Sequence, residues 1–176
     1  MRILTENREI LRERIGATIN VVYAADLELS RPRPVDIHQS ILTTDAMDIL
    51  RDPQVQIVVE PIGGLESANM RILEAIGQGQ RGVTANKALL SEYWQELVEK
   101  AEEKGVSLLY EGCVAGGIPL IRTIKVGLVA NRIRSVTGII NGTCNYILSK
   151  MSSEKLTFDE ALAMAQEKGY AEADPA

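Results

Sequence analysis

The chain of 176 residues carries a net charge of −5, and its 19 Lys and Arg residues are spread along its length, which excludes a nucleic-acid reading and fits small-molecule partners. Hydrophobic residues at 45% and charged residues at 24% describe a soluble globular protein able to bury a core, in one domain or one and part of a second. No run is long enough to cross a bilayer, and the start "MRILTENREILRERIG" is too charged for a signal peptide, so no membrane partner is expected.

In chain order the first predicted element is a helix, "LTENREILRERIG". Short runs rich in Val and Ile follow as strands: "TINVVYAA" (18–25), "VQIVVE" (55–60), "RGVTA" (81–85) and "VSLLY" (106–110). Helical patterns lie between them. "LESANMRILEAIGQG" sets Ala68, Ile72, Ala75 and Ile76 on one face and stops at Gly77 or Gly79. "NKALLSEYWQELVEKAEEKG" carries Leu90, Trp94, Leu97 and Ala101 at helical spacing and ends on Gly105, which places Trp94 in the core. Strands alternating with helices imply βαβ units, so the fold class is α/β, a partial doubly wound Rossmann-type parallel sheet.

After about residue 112 the texture changes, and two domains are expected, 1–112 and 113–176, with the boundary near 110–118. "GGIPLIRTIKVGLVANR" reads as a helix opening near Pro119, and "IRSVTGII" as a strand. "NYILSKM" begins a further helix. "TFDEALAMAQEKG" offers Thr157 as N-cap, Glu160 to complete a capping box and Gly169 as terminator. Both ends are unusual for a dinucleotide-binding domain, which opens with a strand, a glycine-rich turn and then a helix. This chain opens on the helix and stops in the loop "GYAEADPA", so it reads as an interior segment of something longer.

Five runs have the residue types that chemistry needs. "VVEPIGG" (58–64) ends a strand in Gly63 and Gly64 and leads into a helix, a plain turn or a ligand site at the carboxyl end of a strand. "VTANKALL" puts Lys87 just past the next strand, at the mouth of the same crevice. A cation in the first turn of a helix opposes the macrodipole, which favours a functional role over a solvated one. In "YEGCVAGGIPL" (110–120) three glycines can turn carbonyls inward beside Glu111, a donor set suited to a hard cation. "GIINGTCNYIL" (138–148) crowds Asn141, Gly142, Thr143 and Asn145 between two apolar runs. "GYAEADP" (169–175) holds Glu172 and Asp174, either a solvated acidic turn or a grip for a substrate ammonium. His38 follows "RPRPVD" with no partner at triad or metal spacing and is read as a surface residue. Cys113 and Cys144 form no CxxC pair and are read as free thiols of a reducing cytoplasm.

Taken in order, "EPIGG", "TANKALL", "YEGCVAGGIP", "GIINGTCNYIL" and "GYAEADP" resemble homoserine dehydrogenase along essentially the whole chain. The resemblance implies a dinucleotide-binding domain followed by part of an α+β substrate and dimerisation domain, hence a homodimer. It also implies NADP- or NAD-dependent interconversion of L-homoserine and L-aspartate 4-semialdehyde, on the path to threonine and methionine. Residue by residue, Gly63, Lys87 and Gly169 are expected on the cofactor side. Gly142, Thr143, Tyr170 and Glu172 are expected at the substrate, with Glu172 on its amino group. Glu111 with the backbone of Val114, Gly116 and Ile118 resembles a monovalent cation site, usually sodium. Cys144 stands where a threonine is common and is read as a small buried hydrophobe.

The family's glycine-rich phosphate loop would precede Met1, and its acid/base lysine and accompanying aspartate would follow Ala176. No catalytic residue is therefore assigned, and the 176 residues alone are expected to be inactive. Asp26, in "YAADLELSR", suits a ribose 2′-hydroxyl, whereas Arg31 or Arg33 suits a 2′-phosphate, which leaves NAD and NADP both open. Two alternatives stand beside this reading. One is another semialdehyde dehydrogenase of similar architecture, weakened because His38 is a poor base for a cysteine nucleophile. The other is a non-catalytic binding or assembly module.

Overall fold

Asn7 divides the first helical run in two, α1 (Arg2–Glu6) and α2 (Arg8–Ile15), because its φ of −104° and ψ of 21° leave the helical range. Gly16, at φ 69°, closes α2 in the left-handed conformation that glycine adopts without strain. The computed structural model describes residues 1–35 and 37–171. It divides into two units, Met1–Val83 with Ala88–Leu109, and Thr84–Lys87 with Tyr110–Ala176.

In the first unit the strand expected over 18–25 shortens to β1 (Ala24–Ala25). It pairs in parallel with β2 (Leu42–Thr43), Ala24 opposite Leu42 and Ala25 opposite Thr43. A strand extends only as far as a partner satisfies its backbone, and β2 is two residues long. Neither β2 nor the helix after it, α3 (Ala46–Arg51), is read from the sequence. The legible signal was Asp45, whose side chain accepts from Met47 N at 2.8 Å as an N-cap.

A second sheet has the order β3 (Ile57–Glu60), β4 (Arg81–Thr84), β5 (Leu108–Leu109), with β4 and β5 parallel. α4 (Glu66–Gly77) buries Ala68, Ile72, Ala75 and Ile76, the four residues its period selects. Gly82 makes room for Leu108 of β5: a Cβ there would meet Leu108 Cδ1 at 3.1 Å, while Ile72 of α4 would lie in ordinary contact at 3.6 Å. Leu50, Val55, Val58 and Ala75 form the core beneath α3, with Tyr23 and Met47 against it. α5 (Lys87–Lys104) buries Leu89, Leu90, Leu97 and Ala101, but Trp94 is 42% exposed, contrary to the expected core position. The cause is local. Tyr93, at φ −113° and ψ 18°, breaks the helix just before Trp94 and shifts the phase of the apolar stripe.

In the second unit α6 is short, Leu120–Arg122 followed by a π-type turn over Thr123–Gly127, where the sequence predicted a helix to residue 132. The run "IRSVTGII" is not a strand: Ile133, Val136, Ile139 and Ile140 are exposed, and no strand pairs with it among the described residues. An extended segment without a partner leaves its N–H and C=O groups to water. α7 (Gly142–Glu154) and α8 (Phe158–Glu167) pack through Ile147, Ala161 and Ala165, with Tyr146, Met151, Leu162 and Ala171 against them. No helix among the described residues is long and apolar enough to cross a membrane.

The capping box of α8 is formed as predicted: Thr157 Oγ1 accepts from Glu160 N at 3.4 Å, and Glu160 Oε2 accepts from Thr157 N at 2.8 Å. Thr157→Ala is expected to cost about 1 kcal/mol, measured as a lower urea midpoint at unchanged m-value. The Thr157 backbone N–H, and after it the Thr157 hydroxyl, hold the Glu160 carboxyl below its ordinary range. A depressed carboxylate contributes stability above its unfolded pKa, and that share is lost as pH falls through the folded value. Acidification should therefore narrow the gap between wild type and Thr157→Ala.

Candidate functional site

In the first unit β3 carries Glu60 to the start of the "PIGG" turn, and α4 begins at Glu66. Gly63 and Gly64 have φ of 87° and 81°, a consecutive left-handed pair that only glycine adopts without strain. Glu60 Oε1 accepts from Ile62 N at 3.1 Å and lies 3.5 Å from Arg71 Nη1. Beyond β1, Asp26 Oδ1 accepts from Glu28 N at 3.1 Å, and its Oδ2 pairs with Arg33 Nη2 at 2.8 Å. The Glu28 N–H, and then the Arg33 guanidinium, hold the Asp26 carboxyl below its usual range. Arg33 also donates to the carbonyls of Glu28, Leu29 and Arg31. The acid and one of the two arginines weighed for the ribose thus hold each other inside one loop.

In the second unit Lys87 is exposed in the first turn of α5. Asn86 N donates to Thr84 Oγ1 at 3.0 Å, and Cys113 Sγ donates to Thr84 O at 3.4 Å. Gly112 permits this approach, since a Cβ there would meet Ala85 Cβ at 3.2 Å. Burial pushes the Cys113 thiol up, and the positive charge of Lys87 opposes it. The "TANK" turn and the "EGC" turn are therefore neighbours, joined through the Cys113 thiol.

Glu111 binds the start of α6, its Oε1 accepting from Ile121 N at 3.0 Å and its Oε2 from Arg122 N at 2.9 Å. Each oxygen retains a further lone pair. Ala115 and Gly116 follow at φ of 57° and 59°, so the chain between Val114 and Ile118 turns sharply. A carboxylate beside such a turn has the donor chemistry a hard cation takes. The described residues contain no group of three His, Cys, Asp or Glu side chains able to hold a metal, so any cation here would depend on backbone carbonyls.

Gly142 opens α7, and Asn141 caps it by accepting from Cys144 N at 2.9 Å. Part of the small polar cluster therefore serves the helix. A Cβ at Gly142 would meet nothing within 4 Å, so the helix start is open. Thr143 Oγ1 donates to Tyr170 O, and the Tyr146 and Tyr170 rings meet edge to face at 5.1 Å and 67°. Gly169, at φ 70°, donates to Gln166 O, and Tyr170 N donates to Ala165 O at 2.8 Å. The start of α7 and the turn after α8 are so joined, which brings Gly142, Thr143, Gly169 and Tyr170 together. Glu172 and Asp174 lie outside the described residues.

Cys144 is exposed, which corrects its reading as a buried hydrophobe. The reason is its place in the first turn of α7, whose buried face is set by Ile147. Tyr146 is a member of this cluster that the sequence reading missed. Its hydroxyl is buried without a hydrogen-bond partner among the described residues, and the Lys150 ammonium sits 5.8 Å from its ring centroid. Its spacing of three from Thr143 puts both on one face of α7 and was the available signal. His38 is exposed and caps the short turn Gln39–Ile41 by accepting from Ser40 N at 3.2 Å.

Known proteins match nearly the whole chain. Residues 1–111 match the homoserine dehydrogenase NAD-binding domain family and residues 119–176 the homoserine dehydrogenase family. The chain is 52% identical over 147 residues to homoserine dehydrogenase of Synechocystis sp., covering 84% of this chain and 34% of that protein. It is 46% identical to the enzyme of Pseudomonas aeruginosa, covering 98% of this chain and 39% of that one. The crystal structure of a homoserine dehydrogenase from Thiobacillus denitrificans superposes with a TM-score of 0.86 at 44% identity, covering 99% of this chain and 40% of that one. The chain thus spans 34% to 40% of the length of these relatives. With both family matches falling in chain order on an NAD-binding α/β unit and the segment after it, this protein belongs to the homoserine dehydrogenase family.

Proposed function

We propose that this chain carries cofactor-facing and substrate-facing parts of an enzyme that interconverts L-homoserine and L-aspartate 4-semialdehyde with NADP or NAD. The pathway setting is threonine and methionine biosynthesis in the cytoplasm, and the assembly is a homodimer. The observation that carries this is the junction of α7 with the turn after α8, made by Thr143 and Tyr170. It offers an open, polar corner.

A bound nicotinamide supplies or accepts the hydride. The chain's own residues bind and orient. Gly63 and Gly169 give close backbone approach for the cofactor, since both adopt φ that a side chain would strain. The N–H groups of Gly142 and Thr143 have no partner among the described residues and stand at the positive end of α7, which suits the substrate carboxylate. Tyr170 packs beside it, and Glu172 takes the substrate ammonium. Glu111, Val114, Gly116 and Ile118 hold a monovalent cation, with sodium the first choice. Lys87 supplies positive charge at the "TANK" turn, either to phosphate or to the carbonyl oxygen.

The experimental vehicle is a chimera in which residues 1–176 replace the matched segment of the Thiobacillus denitrificans enzyme. In it, Lys87→Ala is expected to raise KM for cofactor or homoserine about fivefold or more, the scale of one charge-assisted hydrogen bond. Its melting temperature should hold, because an exposed lysine is rarely a packing residue. A large loss of stability with unchanged kinetics would assign Lys87 a purely structural role.

A further inference from the structure

Among the described residues of the first unit, Glu60 is the one acidic side chain that is almost wholly enclosed, at 3% exposure, and it stands at the carboxyl end of β3. Burying a carboxylate is costly unless its oxygens find partners. Here the partners are unequal. Oε1 accepts from Ile62 N at 3.1 Å and faces Arg71 Nη1 at 3.5 Å, whereas Oε2 is buried with no hydrogen bond among the described residues. Arg71 Nη1 is itself buried without a hydrogen bond. A residue serving only for packing would not need a hydrogen-bond acceptor in such a place.

What the Oε1 acceptor holds is a turn. Pro61 gives no N–H, so Ile62 offers the first amide after the strand, and Glu60 Oε1 takes it. Gly63 and Gly64 then follow in the left-handed conformation. Arg71, a turn and a half into α4, brings its guanidinium to 3.5 Å from the same oxygen. We infer that Glu60 is a positioning residue for the cofactor, holding the Pro61–Gly64 turn in the shape that Gly63 presents to the dinucleotide. This rests on the proposal that Gly63 faces the cofactor. Glu60 is not a contact residue, because its free oxygen is enclosed by protein.

Glutamine is the discriminating replacement. Its amide oxygen keeps the place of Oε1, with both the Ile62 N–H and Arg71, and its Nε2 replaces the oxygen that has no partner. Alanine removes the acceptor altogether, and Glu60→Asp withdraws it by one methylene. The test uses the chimera, with NADPH and NADH affinity read from the fluorescence of the bound cofactor and thermal melts in parallel. Glu60→Ala is expected to raise cofactor Kd about tenfold, raise cofactor KM in step and leave kcat at saturating cofactor within about threefold, while Glu60→Gln restores Kd to within about threefold of the parent. If Glu60→Ala is insoluble, Glu60→Asp carries the same expectation.

A lower melting temperature with unchanged Kd would make Glu60 merely structural and overturn the inference. So would Glu60→Gln binding as poorly as Glu60→Ala. Gly63→Ala separates the two levels of argument. If it weakens cofactor binding and Glu60→Ala does not, the inference alone falls. If neither weakens it, the cofactor role of the turn falls with it.

Discussion

Glu172→Gln in the chimera is expected to raise KM for homoserine about tenfold or more, with cofactor KM unchanged. A hydrogen bond between an ammonium and a carboxylate contributes roughly 1.5–3 kcal/mol, or about one to two orders of magnitude in affinity. The amide of glutamine keeps the shape and an acceptor but loses the charge. Steady-state kinetics with homoserine as the varied substrate decide it, and an unchanged KM would remove Glu172 from the substrate site.

The 176-residue polypeptide expressed by itself is expected not to turn over homoserine. Hydride transfer to an aldehyde needs a proton at the developing alkoxide, and a positioned acid contributes about 10²–10⁴ in rate. The resemblance places that lysine outside these residues, and the chain spans two fifths of its Thiobacillus relative. Exposed apolar side chains point the same way. Ile57 and Val59 on one face of β3, and Val129 and Ile139 in the second unit, are 49%, 62%, 77% and 69% exposed. Such surface favours association over a monodisperse catalyst. Assay of NAD(P)H formation at high protein concentration, with and without sodium or potassium, would reveal any activity. Robust turnover would mean that a lysine of this chain delivers the proton, Lys87 first among them.

The elements that were legible in the sequence are those whose signals are local. The stripe of Ala68, Ile72, Ala75 and Ile76 and the capping box of Thr157 and Glu160 need only their own neighbours, and both formed. Trp94 departed because one non-helical residue, Tyr93, shifted the phase of an otherwise regular stripe. The run "IRSVTGII" departed because a strand depends on a partner elsewhere in the chain or beyond it, which no periodicity reveals. At the site, Asn141 was legible as a small polar residue, but its role as the cap of α7 needed the helix to be placed. Tyr146 was invisible for a related reason. An aromatic at helical spacing reads as core, and the ring of Tyr170 against it shows that it packs on the turn after α8.

Homoserine-dependent reduction of NADP and NAD by the chimera tests the central claim most directly. Every residue proposed for cofactor, substrate and cation lies within the grafted 176 residues, and the Thiobacillus denitrificans enzyme supplies the rest of its own length. The chimera is expected to keep kcat/KM for homoserine within about tenfold of the Thiobacillus denitrificans enzyme. A folded, soluble chimera that binds NADPH but shows no homoserine-dependent reduction would contradict it.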